Sequence, residues 1–507
     1  MPDDAHSKDL TLGIVGAGAM GRGIAQIAAT AGIRTVLYDT RSDAAADARD
    51  QVVGTLGKLV AKGKLDADAA RSAGTKLEIA HVLGILSGCH VVVEAIVEDL
   101  AAKRGLFANL EAIVSPECLL ATNTSSLQVT AIAAGCKHPE RVGGFHFFNP
   151  VPLMKVVEVV EGVVSAPWVG ETLAALARRM GHTPVRAKDT PGFIVNHAGR
   201  GYTTEALQIL REGVAEFYEI DRILRDVAGF RMGPFELMDL TGLDVSHPVM
   251  ESIYRQYYEE PRYRPSPITA QRVVAGLLGR KSNNRGFYRY ADGAQEGMPV
   301  ASVPAVDVPS IWTSQTGLGP LAADLAAKLG AKVDGGERPA GDSLILVAPL
   351  GEDATHAATA EGLDPTRTVA IDCLVPPHRR RTLMTTPITL PEFRDAAHAF
   401  FAKDGVPVSV IRDSAGFVVQ RVLAHIVNIG CDIVQQGVCT PEDLDCAVSL
   451  GLGYPLGPLA WGDRIGPQRV LAILDAIHAF TGDPRYRPSP WLKRRARLGV
   501  SLATPAA

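Results

Sequence analysis

The stretch Leu10–Asp39 admits few folds. Leu10–Val15 has the apolar, β-branched pattern of a buried strand and runs directly into Gly16-Ala17-Gly18-Ala19-Met20-Gly21. The residues that follow, Ile24–Ala31, present the apolar face of a helix. In such a strand–turn–helix unit Gly16 permits the tight turn, and Gly18 lets the backbone approach a pyrophosphate at the helix N-terminus. Gly21 lets helix and strand pack closely. The backbone of Gly16, Gly18, Ala19, Met20 and Gly21 is therefore the expected cradle. The next strand, Arg34–Tyr38, ends in Asp39, at the spacing where a carboxylate binds a ribose 2′-hydroxyl and repels a 2′-phosphate. This pattern predicts a dinucleotide site preferring NAD over NADP, with Arg41 softening the preference.

Further strand-like runs follow at His90–Ile96, Leu119–Thr122, Val142–Phe145 and Lys155–Val160, the earlier ones separated by helical stretches. Alternation of this kind predicts an α/β, Rossmann-type, doubly wound parallel sheet followed by an all-α domain. Ligands of such a sheet bind at the carboxyl ends of the strands. Glu98, Asn123, Ser125, His146 and Asn149 all fall just after expected strand ends. A capped loop would explain any one of them alone; five on one rim point to a site.

Composition narrows the partners. The 507 residues carry a net charge of −4, with 21% charged and 47% apolar residues and no basic stripe, so nucleic acid is not an expected partner. The seven cysteines have no CxxC and no pairing pattern, which fits a reducing cytoplasm. The start, Met1-Pro2-Asp3-Asp4, does not read as a signal peptide. No apolar run reaches the ~18 residues of a membrane span, and no cluster has metal-ligand spacing.

Four segments together resemble the 3-hydroxyacyl-CoA dehydrogenase family: Asn123-Thr124-Ser125-Ser126-Leu127, Gly144-Phe145-His146-Phe147-Phe148-Asn149-Pro150 with the following Val151–Val159, Lys188–Asn196, and Arg231–Asp244. The resemblance covers roughly 10–290. It implies NAD as cofactor, a 3-hydroxyacyl-CoA substrate, and Ser125, His146, Glu158 and Asn196 as catalytic positions. It further implies cofactor contacts at Glu98, Lys103, Asn123, Ser125, Asn149 and Lys281. Substrate contacts fall on Ser125 and Asn196, with Thr55 and Lys62 against coenzyme A. One departure is visible: near Lys281 the run Ser282-Asn283-Asn284-Arg285 has no glycine where the family has one. Asparagine tolerates the left-handed conformation that such a turn needs.

The residue types suit alcohol oxidation. An imidazole titrates near neutrality and can take the hydroxyl proton, the part expected of His146. Glu158, on the next strand, can accept the other ring N–H and favour the imidazolium, as a carboxylate does in a catalytic triad. Ser125 can bind the substrate oxygen. A Ser-His-Glu set also occurs in hydrolases, but there is no GxSxG elbow. A related hydroxy-acid dehydrogenase, a non-enzymatic NAD-binding protein and a portion of a larger hydratase–dehydrogenase are the alternatives; the four-residue set argues against the second.

The chain also repeats itself. Pro261–Pro267 recurs identically at Pro484–Pro490, Asp189-Thr190-Pro191-Gly192-Phe193 recurs as Asp413-Ser414-Ala415-Gly416-Phe417, and Asn196 aligns with Gln420. The expected organisation is an NAD-binding domain at 1–189, a helical domain at 190–296, a degenerate nucleotide-domain-like or linker region at 297–405, and a second helical domain at 406–507. The two helical copies would form a homodimer interface or an intramolecular pseudo-dimer. Length and duplication resemble the 3-hydroxyadipyl-CoA dehydrogenases of phenylacetate degradation. Their acyl carboxylate would need a cation, for which Arg200 and Arg231 are in the right domain; 3-hydroxybutyryl-CoA is the alternative substrate.

Overall fold

Short apolar runs punctuated by glycine turns become buried parallel strands, because both faces of such a sheet are covered. The computed structural model describes residues 5–506; Met1–Asp4, from which the character of the N-terminus was read, lie outside them. Two units are resolved, one comprising the chain through His197 together with Gln436–Leu452, the other Ala198–Gln435 with Gly453 onward.

The first unit holds an eight-stranded sheet: β1 (Thr11–Val15), β2 (Arg34–Tyr38), β3 (Leu77–Ile79), β4 (Val91–Glu94), β5 (Leu119–Thr122), β6 (Val142–Phe147), β7 (Val156–Glu161) and β8 (Thr183–Lys188). Their order is β3-β2-β1-β4-β5-β6-β7-β8. This is the expected doubly wound sheet with one reversal. β7 runs antiparallel to β6, because the connection between them contains no crossover helix to carry the chain back. His146 consequently sits within β6 rather than after it, and the reversal sets it directly opposite Glu158. The last element of this unit comes from far along the chain. The helix Pro441–Gly451 packs on β7 and β8, and Lys188 N donates to Val438 O at 2.8 Å.

In the second unit the repeat is visible helix by helix. Phe217–Asp226, Pro234–Thr241, Leu243–Gln256 and Pro267–Val274 have counterparts in Pro441–Gly451, Pro458–Ile465, Pro467–Thr481 and Pro490–Leu498, the first of which lies in the other unit. A short ladder of β9 (Tyr290–Ala291) and β10 (Ala294–Gln295) closes the first copy. The helices Arg200–Arg211 and Val418–Gln435 pack face to face, so closely that a Cβ on Gly201 would lie 3.0 Å from Ile426 Cα. Reciprocal ion pairs join the repeated motifs: Arg264 with Asp483 at 3.2 Å, and Arg487 with Glu260 at 3.5 Å.

The segment between the helical copies forms a five-stranded sheet of β11 (Ile311–Thr313), β12 (Leu344–Val347), β13 (Thr368–Ile371), β14 (Arg381–Thr385) and β15 (Val408–Ile411), in that order. β11, β12 and β13 are parallel, β14 is reversed, and β15 is parallel to β14. The same sequence of directions occurs in β4–β8. Asp189 caps the helix after β5 through Val129 N and Thr130 N; Asp413 caps the helix after β12 through Ala354 N and Thr355 N. On this correspondence Thr382 occupies the place of Glu158, facing Ser409 as Glu158 faces Val185. Asp372, whose amide donates to Thr382 O, occupies the place of His146. Gln420 donates to Asp372 Oδ1 and Pro349 O, both at 3.1 Å, and accepts from Gly351 N at 2.8 Å. All three side chains are buried.

Burial pushes the Asp372 carboxyl up to about 6, against hydrogen bonds from Leu374 N and Gln420 that pull it down. A carboxyl raised on folding stabilises the fold while protonated, and that contribution is lost as pH rises through the folded value. Asp372→Asn is therefore expected to raise the melting temperature by a few degrees at about pH 8 and by less at about pH 5. Scanning calorimetry across that range checks it; a pH-independent difference would remove Asp372 as the titrating group.

Candidate active site

The glycine turn is sterically fixed. Gly16 has φ +103°, and a Cβ there would lie 2.5 Å from Ala95 O; a Cβ on Gly21 would collide with Gly16 O. At Gly18 a Cβ would meet nothing within 4 Å, so the space over the N-terminus of the helix Ala19–Thr30 is open. That helix has no side-chain cap and no acidic residue in its first turn, which leaves its amides and positive dipole end suited to a pyrophosphate. Asp39 Oδ2 accepts from Ala17 N at 2.8 Å, and Oδ1 accepts from Arg41 N at 3.0 Å. Burial raises this carboxyl, but the two amides and the Arg41 guanidinium outweigh burial and hold it below its ordinary value. The donor set and the open cradle fit NAD.

A hydrogen-bonded chain of side chains crosses the rim of the sheet. His146 Nδ1 lies 2.6 Å from Glu158 Oε2, and Glu158 is fully buried. Glu158 Oε1 accepts from Ile194 N at 2.9 Å and Val195 N at 2.8 Å. Asn196, next in the chain, donates from Nδ2 to Ser125 O at 3.3 Å. The turn that carries Ser125 is organised by Glu98, whose Oε1 accepts from Thr124 Oγ1 at 2.7 Å, Ser125 N at 2.8 Å and Ser126 N at 3.0 Å. Burial would raise Glu98; the Lys103 ammonium and these donors outweigh it and bring the carboxyl to about 2. Asn123 Oδ1 accepts from Phe147 N at 2.8 Å, tying the end of β5 to β6.

The other residues read from the sequence are placed as follows. Lys103 is buried, its Nζ 2.5 Å from Glu94 Oε1 and 3.3 Å from Glu98 Oε2, so it holds Glu98 from beneath. Asn149 is exposed and precedes Pro150 through a cis peptide. Thr55 and Lys62 are exposed along and at the end of the helix Ala44–Ala61. Lys281 lies in the second unit, in the helical turn Arg280–Asn283. Asn284 follows at φ +60°, in the left-handed conformation that replaces the missing glycine. Of the two candidate cations for an acyl carboxylate, Arg231 is exposed. Arg200 opens the helix Arg200–Arg211, with burial lowering its guanidinium to about 10. Sequence reasoning missed Glu94, which accepts from Thr122 Oγ1 at 2.6 Å and Ile96 N at 2.7 Å as well as from Lys103. A carboxylate closing the apolar run Val91-Val92-Val93-Glu94 was the available signal.

Residues 11–190 match the family model for the 3-hydroxyacyl-CoA dehydrogenase NAD-binding domain, and 192–290 and 416–503 match the model for the C-terminal domain of the same family. The chain belongs to the 3-hydroxyacyl-CoA dehydrogenase family. It is 38% identical to the 3-hydroxyadipyl-CoA dehydrogenase of Escherichia coli, over 96% of this chain and 98% of that one. A probable 3-hydroxybutyryl-CoA dehydrogenase of Deinococcus radiodurans is 41% identical over its full length but covers 55% of this chain. The crystal structure described as 3-hydroxybutyryl-CoA dehydrogenase from Escherichia coli K12 superimposes with a TM-score of 0.86 at 36% identity, covering 97% of this chain and 98% of that one. The protein is an NAD-dependent oxidoreductase acting on 3-hydroxyacyl-CoA. Among the described residues no helix is long and apolar enough to cross a membrane.

Asp39 closes the turn through Ala17 N and ends the second strand, the sequence place of a ribose-binding carboxylate, so Asp39→Ala is expected to lower kcat/KM with NAD more than with NADP. Steady-state kinetics with the two cofactors check this, and an unchanged ratio would assign selectivity elsewhere.

Proposed function

We propose that this chain catalyses the NAD-dependent oxidation of (S)-3-hydroxyacyl-CoA with His146 as the base, and that 3-hydroxyadipyl-CoA is its preferred substrate. The observation that carries the mechanism is the buried 2.6 Å contact between His146 Nδ1 and Glu158 Oε2. With the Nδ1 proton held by Glu158, Nε2 is the nitrogen that takes the proton of the substrate hydroxyl. Glu158 stabilises the imidazolium as it forms, and its own charge is kept in place by two backbone amides that water cannot replace. Ser125 binds the substrate oxygen, and Asn196, tethered to the Ser125 backbone, holds the substrate from the other side. The glycine turn and Asp39 would hold NAD, which would supply the acceptor for the C3 hydride. In the reverse direction the same imidazolium returns the proton to the 3-oxo group. Thr55 and Lys62, two turns apart on one helix, are assigned to coenzyme A, and Glu98, Asn123, Asn149 and Lys281 to the cofactor.

The preference for a carboxylated acyl chain rests on whole-length similarity to the 3-hydroxyadipyl-CoA enzyme. A 3-hydroxybutyryl-CoA substrate is the second reading, favoured by the description of the similar full-length structure. The reciprocal ion pairs between Pro261–Pro267 and Pro484–Pro490 favour an intramolecular pseudo-dimer of the helical copies. We assign the protein to the cytoplasm.

His146→Gln is expected to leave NADH affinity near normal and to lower turnover by roughly 10²–10⁴-fold. Fluorescence titration and turnover with acetoacetyl-CoA measure the two separately, and wild-type turnover would end the assignment. Across a panel of acyl-CoAs, kcat/KM should be highest for the 3-hydroxyadipyl thioester. A maximum at the four-carbon thioester would select the second reading.

A further inference from the structure

We propose that Gln436–Leu452, contributed by the second helical copy, is a positioning element for the His146–Glu158 pair, with Gly451 as its contact residue. The inference rests on the mechanism above and extends it to a part of the chain with no assigned role.

Three contacts tie this segment to the strands behind the site. Lys188 N, at the end of β8, donates to Val438 O. Asp443, in the first turn of the helix Pro441–Gly451, accepts from the Arg186 amide of β8. Gly451, at the end of that helix, meets Val195 and Val156: a Cβ there would lie 3.0 and 3.2 Å from the two γ-carbons of Val195 and 3.5 Å from Val156 Cγ1. Both valines are buried. Val156 opens β7, the strand of Glu158, and the Val195 amide is one of the two donors that fix the Glu158 carboxylate. Asn196 follows Val195 directly. The helix end is therefore packed against the backbone that orients both the carboxylate behind His146 and the asparagine.

The constraint at Gly451 is one of space and not of conformation. Gly451 is absent from the positive-φ positions of the chain, so its backbone would accept any residue. The first helical copy carries Val227 at the corresponding place, which shows that a branched side chain suits this helix end elsewhere. Contacts of 3.0–3.2 Å with a buried valine leave no room for a side chain unless Val195 moves. A shift of Val195 lengthens its bond to Glu158 and tilts the imidazole.

The test uses the full chain. Gly451→Val is expected to lower kcat for acetoacetyl-CoA reduction by roughly 10–100-fold, the scale of a small misplacement of catalytic groups, with NADH affinity unchanged within about two-fold. Val195→Ala in the same background, which removes the two crowded methyl groups, should restore most of the loss. Gly451→Ala, with the smaller intrusion, should give a smaller loss with the same rescue, and it decides the matter if the valine variant does not fold. A folded variant with wild-type kcat, or a loss that Val195→Ala leaves untouched, would overturn the proposal. His146→Gln run in parallel separates the two readings: if it retains turnover the catalytic assignment fails, whereas full activity of the Gly451 variants beside an inactive His146 variant refutes the positioning role alone.

Discussion

Glu158 is a carboxylate with no exposed surface, and much of the first unit is arranged around it. A charge taken out of water costs several kcal/mol unless partners replace the lost hydration. Here the replacement is complete: His146 Nδ1 takes one oxygen, and the amides of Ile194 and Val195 take the other. Each partner comes from a different part of the chain, so satisfying one carboxylate fixes three segments. β6 must pair antiparallel with β7 to bring His146 across. The Pro191-Gly192-Phe193 turn must present two successive amides, and Asn196 follows that turn to reach the Ser125 backbone. Glu98 and Lys103, with Glu94 below, then fix the Ser125 turn from the other end. The same hydrogen bonds that compensate the burial of Glu158 fix the orientation of His146.

The duplication has a physical logic that the missing catalytic residues obscure. An open sheet ends in edge strands with unpaired amides and carbonyls, which must be covered or paired. β8 is covered by Val438, just before the helix Pro441–Gly451, and β15 by Val214, just before the helix Phe217–Asp226, in matching hydrogen bonds from Lys188 N and Arg412 N. The second of these helices is further held by Glu219, which accepts from Ser409 Oγ at 2.6 Å, and by Asp226, which pairs with Arg380 at 2.8 Å. Each sheet thus receives the helix of the other copy's sequence. The five-stranded sheet, which has no counterpart of β1–β3 among its strands, is the surface on which the first copy's helix docks.

How much of this the sequence disclosed depends on the range of the interaction. The cradle was legible because glycine is demanded by local sterics at Gly16 and Gly21, and because the carboxylate at Asp39 follows at a fixed distance along one βαβ unit. Six strands of the first sheet were legible from apolar runs. The reversal at β7 was not, since alternation of apolar residues carries no direction; its signal was the lack of a helix between Phe148 and Val156. His146 and Glu158 were named from residue type and resemblance, while their pairing across two strands follows from that reversal. Glu94 was overlooked because it lies inside the strand-like run His90–Ile96, where one carboxylate among apolar residues gives no sign of its partners. The place of Gln436–Leu452 in the first unit could not be read at all, because no periodicity links residue 451 to residue 195.

The second sheet has a buried, hydrogen-bonded set of side chains at the place where the first has His146, Glu158 and Asn196. A catalytic rim needs a base with a free nitrogen and polar groups held beside empty space, an arrangement that contributes nothing to packing. At the corresponding place the chain now has Asp372, Thr382 and Gln420, all buried, with every polar atom of Gln420 engaged. The longer glutamine reaches Gly351 N and Pro349 O. Asp372 lies where the imidazole lies in the first sheet, its amide bonded to Thr382 O. What the two halves still share is the pattern that maintains the fold: the helix-capping Asp189 and Asp413, the strand directions, and the exchange of edge-covering segments.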